Sequence, residues 1–401
     1  MDALVIGAGP AGLMAAEALA AAGRQVLICD AKPSPARKFL MAGKSGLNIT
    51  KAEALAEFTA QYDAADWLAP MLAAFGPDQV QDWCRGLGQP VFTGSSGRVF
   101  PVAMKASPLL RAWLARLAQA GVKLRPRWRW TGFAASGLAF DTATGPQILR
   151  PQVTVLALGG ASWTRLGSDA AWVPWLESRG VRITPFRPAN MGFRVDWSAH
   201  MARFFGTPVK GAALWVGGRG ERGEFVISQK GLEGGGIYAV SREMRDGAAL
   251  RLDLLPDMAA AEVLTRLRQM RAGETAANRL RKLGLSPVAI GLLQEFARPL
   301  NKDRLGALVK ALPVPHLGPR PMEEAISVAG GIARDSVTAG LELRQLPGVF
   351  VCGEMLDWEA PTGGYLLTGC LATGLWAGQA AASIGTASGP MPPLVEKQIS
   401  G

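Results

Sequence analysis

The first twelve residues, Met1-Asp2-Ala3-Leu4-Val5-Ile6-Gly7-Ala8-Gly9-Pro10-Ala11-Gly12, leave few folds open to this chain. Residues 3–6 read as a buried strand, and G-x-G-x-x-G follows at once at Gly7, Gly9 and Gly12. An alanine-rich helical stretch, residues 13–22, stops at Gly23. A second apolar strand, residues 25–29, runs into Asp30, 18 residues after Gly12. Each part has a physical task. Gly7 permits the tight turn, Gly9 lets backbone approach a pyrophosphate, and Gly12 lets helix pack closely on strand. The helix start, at Pro10 and Ala11, offers free N–H groups and partial positive charge to phosphates. Asp30, with Ala31 and Lys32 beside it, is placed to accept a ribose hydroxyl. A glycine triplet alone says little, but the full strand–turn–helix–strand–acid unit specifies a dinucleotide.

Length and composition agree with an enzyme of two or three domains. The chain has 401 residues, of which 49% are hydrophobic and 19% charged, which excludes global disorder. Cys29, Cys84, Cys352 and Cys370 form no C-x-x-C pair, and two of them lie in interior strands. That argues for a reducing compartment, and a cytoplasmic location is expected. Residues 3–23 and 363–385 are apolar enough to imitate membrane spans. Asp2 and the glycine turn explain the first, and a buried core helix explains the second, so no membrane partner is expected. Two histidines, His200 and His316, stand far apart, and no metal-ligand spacing or Ser-His-Asp arrangement appears.

Further along, residues 31–49 read as a loop carrying Lys32, Lys38, Lys44 and Asn48. Ser107 and Pro108 suggest an N-cap and N1 pair. Arg125, Arg127 and Arg129, alternating with Leu124, Trp128 and Trp130, suggest a strand of period two. Residues 153–158 form a continuous apolar strand ending in Gly159-Gly160-Ala161-Ser162. Residues 182–255 are glycine-broken short strands, with Gly217-Gly218-Arg219-Gly220 and Gly234-Gly235-Gly236 as turns. Residues 257–313 read as short helices, one opened by Ser286-Pro287 and one capped by Asn301. A late strand, residues 349–352, leads to Gly353-Glu354, and Thr362-Gly363-Gly364 opens the final helix.

That closing order resembles flavin disulfide-reductase-like folds. There, an acid after the late strand holds the ribityl chain, and the next helix points its N-terminus at the pyrimidine edge of the flavin. Gly353-Glu354 and Thr362-Gly363-Gly364-Tyr365 fit those roles in order and spacing. No second strand–glycine–helix unit follows, so NAD(P)H would visit the flavin only transiently.

The whole chain resembles the BaiN/RdsA-type (YhiN-like) family of NAD(P)/FAD-dependent oxidoreductases. The matching stretches are the Gly7–Gly12 fingerprint, Lys38-Phe39-Leu40-Met41-Ala42-Gly43 with Asn48-Ile49-Thr50, Gly97-Arg98-Val99-Phe100-Pro101, and Ala157-Leu158-Gly159-Gly160-Ala161-Ser162. Ala329-Gly330-Gly331-Ile332 and Gly353-Glu354-Met355-Leu356-Asp357 with Thr362-Gly363-Gly364-Tyr365 complete the match. The resemblance implies an α/β fold: a Rossmann-like FAD-binding domain split in sequence, with an inserted β-rich domain that itself carries a small helical insertion. The expected bounds are 1–185 and 346–401, 186–255 and 317–345, and 256–316. It also implies that Lys38, Gly43, Asn48, Gly159 and Gly160 border the FAD. Gly46-Leu47 stands where the family usually has Arg-Cys, and Leu366 where it has Asn.

Three functions follow. One is reduction of an activated C=C bond in a small molecule, with NAD(P)H as donor and Tyr365 as candidate proton donor or substrate-orienting group. Packing of the Tyr365 phenol over the helix start is the plainer alternative. A second is reduction of a pyrimidine in structured RNA, which some relatives are associated with. Net charge is +11, residues 101–140 hold seven basic residues and no acid, and residues 257–313 hold ten against five. Those stretches, with Trp128 and Trp130 to stack bases and Arg279, Arg281 and Lys282 on phosphates, predict RNA binding at low salt. A solvated basic surface explains the same charges. The third is flavin binding without catalysis.

Overall fold

The computed structural model describes residues 2–44 and 46–384. It divides into two compact units, one of residues 1–187 and 327–401 and one of residues 188–326. The expected bounds put the return into the dinucleotide domain at 346, whereas the chain rejoins the first unit at Ser327. Residues 385–401 of the expected domain lie outside the described residues.

The first unit is built on five parallel strands in the order Val349–Val351, Val153–Leu156, Ala3–Ile6, Val26–Asp30, Lys123–Pro126. Ala3 to Ile6 are all at most 1% exposed, because the central strand of a parallel sheet is covered on both faces. One cover is the pair of helices Pro10–Ala21 and Tyr365–Ser383. Their facing positions are small: a Cβ on Gly374 would lie 2.3 Å from the Ala11 carbonyl oxygen, and one on Gly378 2.6 Å from that of Ala15. The apolar stretch at 363–384 is therefore a core helix. No helix among the described residues is long and apolar enough to cross a membrane.

Three local expectations are corrected. The alternation through residues 124–130 is not one strand. Pro126 has no N–H to donate and Arg127 takes a left-handed φ of 58°, so the chain leaves the parallel sheet and starts an antiparallel meander at Arg129–Ala134. Helix Ala106–Gln119 begins with Lys105 as its N-cap, ahead of Ser107. Ala106 is 2% exposed and packs on Gly43, where a Cβ would fall 2.5 Å from its own, and Pro108 still sits in the first turn, where its missing N–H costs nothing. The loop expected over residues 31–49 also holds a short helix, Arg37–Ala42.

The second unit is a six-stranded antiparallel sheet in the order Phe193–Arg194, Gly231–Glu233, Arg219–Ser228, Pro208–Val216, Leu250–Asp253, Leu312–Val314. Gly217 and Gly218, with φ of 58° and 84°, make the two-residue hairpin turn. Gly234 instead caps a short helix, Gly235–Ala239. Helices Ala260–Arg268, Ala276–Lys282, Pro287–Ala297 and Leu305–Lys310 enter between the last two strands of the sheet. Ser286 caps the third, its hydroxyl accepting from the Ala289 N–H at 3.3 Å. Val263, Leu280, Leu292 and Val309 bury into the same core as Phe225 and Leu252 of the sheet, so these helices are a layer on the sheet with no separate core.

Candidate active site

Ile6 and Cys29 are in register at the ends of the two central strands, so the glycine turn and Asp30 leave the sheet side by side. The three glycines differ in what surrounds them. A Cβ on Gly7, whose φ is 103°, would lie 2.2 Å from the Ala157 carbonyl oxygen. One on Gly12 would lie 1.9 Å from that of Gly7. One on Gly9 would meet no protein atom within 4 Å. Gly7 and Gly12 are thus fixed by packing, and Gly9 by what occupies the space in front of it. The first helical bond, Leu13 N–H to Gly9 O, is 2.9 Å, which leaves the Ala11 and Gly12 amides ahead of the ladder. Asp30 clamps the turn: one carboxylate oxygen accepts from Ala8 N–H and the other from Lys32 N–H, each at 2.8 Å. Both oxygens keep a further lone pair for another donor.

A groove opens in front of Gly9. Gly7, Gly9, Pro10, Ala11, Asp30, Ala31, Lys32, Lys38, Gly159, Gly353 and Glu354 from the sequence reading all line it. At its far end Lys38 Nζ pairs with Glu354 at 2.7 Å and donates to Ser162 Oγ at 2.9 Å. The Gly353 N–H is held by the Thr373 hydroxyl at 3.0 Å, which ties the late strand to the final helix. Sequence reasoning missed several groove residues: Arg37, Ser168, Trp172, Trp175 and Cys370. Four sit on loops or in short helices and Cys370 in the second turn of the final helix, with no local motif, and only the fold brings them here. Trp172 donates its indole N–H to Gly159 O at 3.0 Å. Two further side chains of the wall, Trp130 (3% exposed) and Ser168 (6% exposed), bury Nε1 and Oγ with no hydrogen-bond partner.

Other expected residues do not line the groove. Gly12 lies behind the turn, Gly43 supports Ala106, and Gly160 packs on Val328. Asn48, Thr362, Gly363, Gly364 and Tyr365 belong to a second grouping around the start of the final helix. A Cβ on Gly364 would fall 2.4 Å from the Thr50 Cα, and the Thr368 hydroxyl donates to Thr50 Oγ1 at 3.0 Å. The Asn48 side-chain oxygen is buried there without a partner. Tyr365, the expected proton donor, is 3% exposed. Its hydroxyl donates to Glu53 at 2.6 Å and accepts from Lys51 Nζ at 3.1 Å, and Lys51 pairs with Glu53 at 2.6 Å. Burial and the bond to Glu53 push the phenol up to about 12, against the opposing pull of Lys51.

All four cysteines are free. Burial pushes the Cys352 and Cys370 thiols well above the ordinary range, so both stay protonated beside Glu354 and behave as small apolar groups. Among the described residues no group of three or more His, Cys, Asp or Glu is placed to hold a metal ion.

The profile of the family described as HI0933-like protein Rossmann domain matches residues 1–380. The chain belongs to that family. HI0933-like proteins are flavoproteins, FAD-dependent oxidoreductases on a Rossmann-like fold. Two relatives align over nearly their full length. A 3-dehydro-bile acid delta(4,6)-reductase of Clostridium scindens is 27% identical, over 94% of this chain and 98% of its own. A ribosomal RNA dihydrouridine synthase of Escherichia coli is 24% identical, over 91% and 94%. Among solved structures, 3-ketosteroid delta1-dehydrogenase from Sterolibacterium denitrificans superposes with a TM-score of 0.55 at 13% identity, covering 95% of this chain and 99% of its own, a likeness of fold. The groove fits FAD. Gly9 leaves room that a Cβ would fill, and Lys32 and Arg37 supply positive charge.

Proposed function

We propose that this HI0933-like protein takes electrons from NAD(P)H, which visits transiently, and reduces an activated carbon–carbon double bond of a small molecule. The observation that carries the reading is the groove that runs past Gly9, with the Asp30 carboxylate on one side and Gly353-Glu354 on the other. In this reading the amides of Gly9 and Ala11 face the pyrophosphate with the partial positive charge of a twelve-residue helix behind them. Asp30 holds the ribose, Lys32 and Arg37 offset the phosphate charge, and Glu354, oriented by Lys38, holds the ribityl hydroxyls. Asn48 and the helix start at Thr362-Gly363-Gly364-Tyr365 lie toward the pyrimidine edge, with Gly43, Gly159 and Gly160 supporting the walls. Bound FAD supplies two-electron hydride chemistry. Leu47, 2% exposed, stands at the position of the family's usual cysteine and offers no proton, so water or another side chain delivers it. The alignments with the bile-acid reductase and the dihydrouridine synthase support a C=C acceptor.

The purified protein should be yellow and release FAD on heating. NADH or NADPH should bleach it, and reoxidation should then be followed against a panel of enones and structured RNA fragments. Rapid reoxidation by an enone is expected. Reoxidation by RNA alone would move the substrate to a pyrimidine, and release of FMN or no flavin would reject the reading.

A further inference from the structure

We infer that Arg98 binds the oxygen conjugated to the acceptor's double bond, and that Phe92, Phe100 and Met104 beside it carry the acceptor's apolar body. The inference rests on the C=C reading above and names the face that receives that substrate.

The face belongs to a small sheet. Thr50–Lys51, Arg98–Pro101 and Val91–Thr93 pair antiparallel, with Arg98–Pro101 in the middle. Directly opposed residues share a face of such a sheet. Thr50 opposes Val99, and both are 0% exposed, so that face turns into the core. Lys51 opposes Arg98, and Phe92 opposes Phe100, so the outer face has a cationic end and an aromatic end.

The cationic end sits against the start of the final helix. The Arg98 Nε lies 3.9 Å from where a Cβ on Gly363 would be, and Lys51 donates to the Tyr365 hydroxyl at 3.1 Å. This is the helix start that the flavin reading sets toward the pyrimidine edge. The two cations differ. Lys51 is committed to Glu53 at 2.6 Å, whereas the exposed Arg98 guanidinium has no ion pair or hydrogen bond among the described residues. Its charge is permanent and its donors form a planar fork, which suits an oxygen that gains negative charge.

The aromatic end is exposed and partly strained. The Phe92 and Phe100 rings stack with centroids 5.8 Å apart, and Phe92 stays 43% exposed. The methyl end of Met104 and the edge of Phe100 lie 3.0 and 4.0 Å from where a Cβ on Gly46 would be, so both side chains border one spot. Met104 takes a left-handed φ of 57°, which is costly outside glycine and persists where the surroundings over-determine it. Two backbone bonds do so: Met104 N–H to Pro101 O at 2.8 Å, and Leu47 N–H to Met104 O at 2.9 Å. The opposite face supplies the core contacts, and an apolar ligand gives this one a partner.

An acceptor lying along the face puts its conjugated oxygen at Arg98 and its body on the rings. NAD(P)H supplies the two electrons through bound FAD. As hydride adds to the far carbon of the double bond, the double-bond pair shifts toward the carbonyl carbon and the carbonyl pair moves onto oxygen. Water then returns a proton to the near carbon. The oxygen is negative in between, and a guanidinium beside it stabilises that charge more than the neutral ground state.

The test uses the holoenzyme, reduced by NAD(P)H and mixed anaerobically with benzylideneacetone, an aryl enone, or with cyclohex-2-enone, which lacks the aryl body. Arg98→Gln should lower the reoxidation rate constant for both enones about ten- to hundredfold, the scale of a hydrogen bond from a charged group. Phe92→Ala should lower it about two- to tenfold for benzylideneacetone alone. The rate of bleaching by NAD(P)H and the affinity for FAD should not fall with them. 4-Phenylbutan-2-one, the saturated ketone, reads binding without turnover, and its Kd for the oxidised holoenzyme should rise in both variants. If Arg98→Gln does not fold, Arg98→Lys keeps the charge and loses the fork, and a smaller loss confined to the enone step supports the inference. Equal loss in both half-reactions, or weakened FAD, would assign Arg98 to the cofactor and overturn it. So would wild-type rates with both enones in the Arg98 variant, or equal effects of Phe92→Ala on the two enones. A wild-type chain whose reduced flavin reacts with neither enone would remove the small-molecule reading itself, a result distinct from active wild type with an indifferent Arg98.

Discussion

At Gly9 a side chain would compete with a bound phosphate, and at Gly12 it would compete with the protein. Gly9→Val should therefore leave the unfolding midpoint within a degree or two of wild type and abolish stoichiometric FAD, because a Cβ there meets no protein atom. Gly12→Ala should destabilise the fold by about 1–3 kcal/mol, the cost of overpacking, because its Cβ would fall 1.9 Å from the Gly7 carbonyl oxygen. Thermal melts with and without FAD separate the two. Both glycines are legible in the motif, but their division of labour is not, since spacing alone does not say which one faces the ligand. Tyr365 makes the same point. The sequence places it after the flavin-facing glycines, and the structure turns its hydroxyl to Glu53 and Lys51. Tyr365→Phe should cost about 1–3 kcal/mol of stability, since it leaves a partly buried carboxylate one donor short. It should slow reduction by NAD(P)H and oxidation by substrate alike. A selective loss in the second half-reaction would restore Tyr365 as the proton donor. With its phenol raised from 10.0 to about 12, the residue favours the protonated folded state. Its stabilising share is whole below pH 10, falls as pH rises toward 12, and vanishes from the pH profile of Tyr365→Phe.

Helix Tyr365–Ser383 shows why elements were easier to read than their partners. Its apolar run and glycine opening are plain in the sequence, and so is the first helix. Their mutual packing is not, because alanine and glycine carry no periodic signal on a helix that is apolar all round. What the sequence could not state is that Gly374 and Gly378 receive the backbone of the helix that carries the pyrophosphate turn. Gly374→Leu should lower stability by at least about 1–3 kcal/mol. It should weaken FAD in the same variant, because the displaced neighbour, Ala11, lines the groove. Gln379→Leu, on the exposed face of the same helix, should do neither. Loss of stability with full FAD affinity would mean the two helices are not coupled through Ala11. The broken strand at Pro126–Arg127 is the opposite case: the alternation through Trp130 continues across it, and only the left-handed residue reveals the break.

On the scale of the whole chain, the net charge of +11 invites a polyanion, yet many of the cations concerned are already engaged. Within the helical layer Lys282 pairs with Glu274, Arg266 with Glu262 and Lys310 with Asp253, each at 2.7 Å. Arg279 donates to the Arg271 carbonyl at 2.9 Å, and Arg281 donates to Asn278. The pairs of Lys282 and Arg266 leave the cation exposed and are weak, so those cations could be drawn to a phosphate, but only by giving up a bond each already makes, whereas the Lys310 pair is largely buried. The basic count was legible in the sequence; the pairing was not, because Glu274 meets a lysine eight residues away across a turn. Structured RNA should bind the full chain at about 50 mM salt and lose affinity as salt rises, with log K falling by about 0.7 per neutralised phosphate on single strands. If Arg279, Arg281 and Lys282 all contacted phosphates, replacing them together would flatten that slope by about 2. The internal bonds lead us to expect a smaller change, under about 1, with binding spread over the remaining basic surface. A flattening of about 2 would establish this helix as a phosphate track and return RNA to the front of the substrate panel.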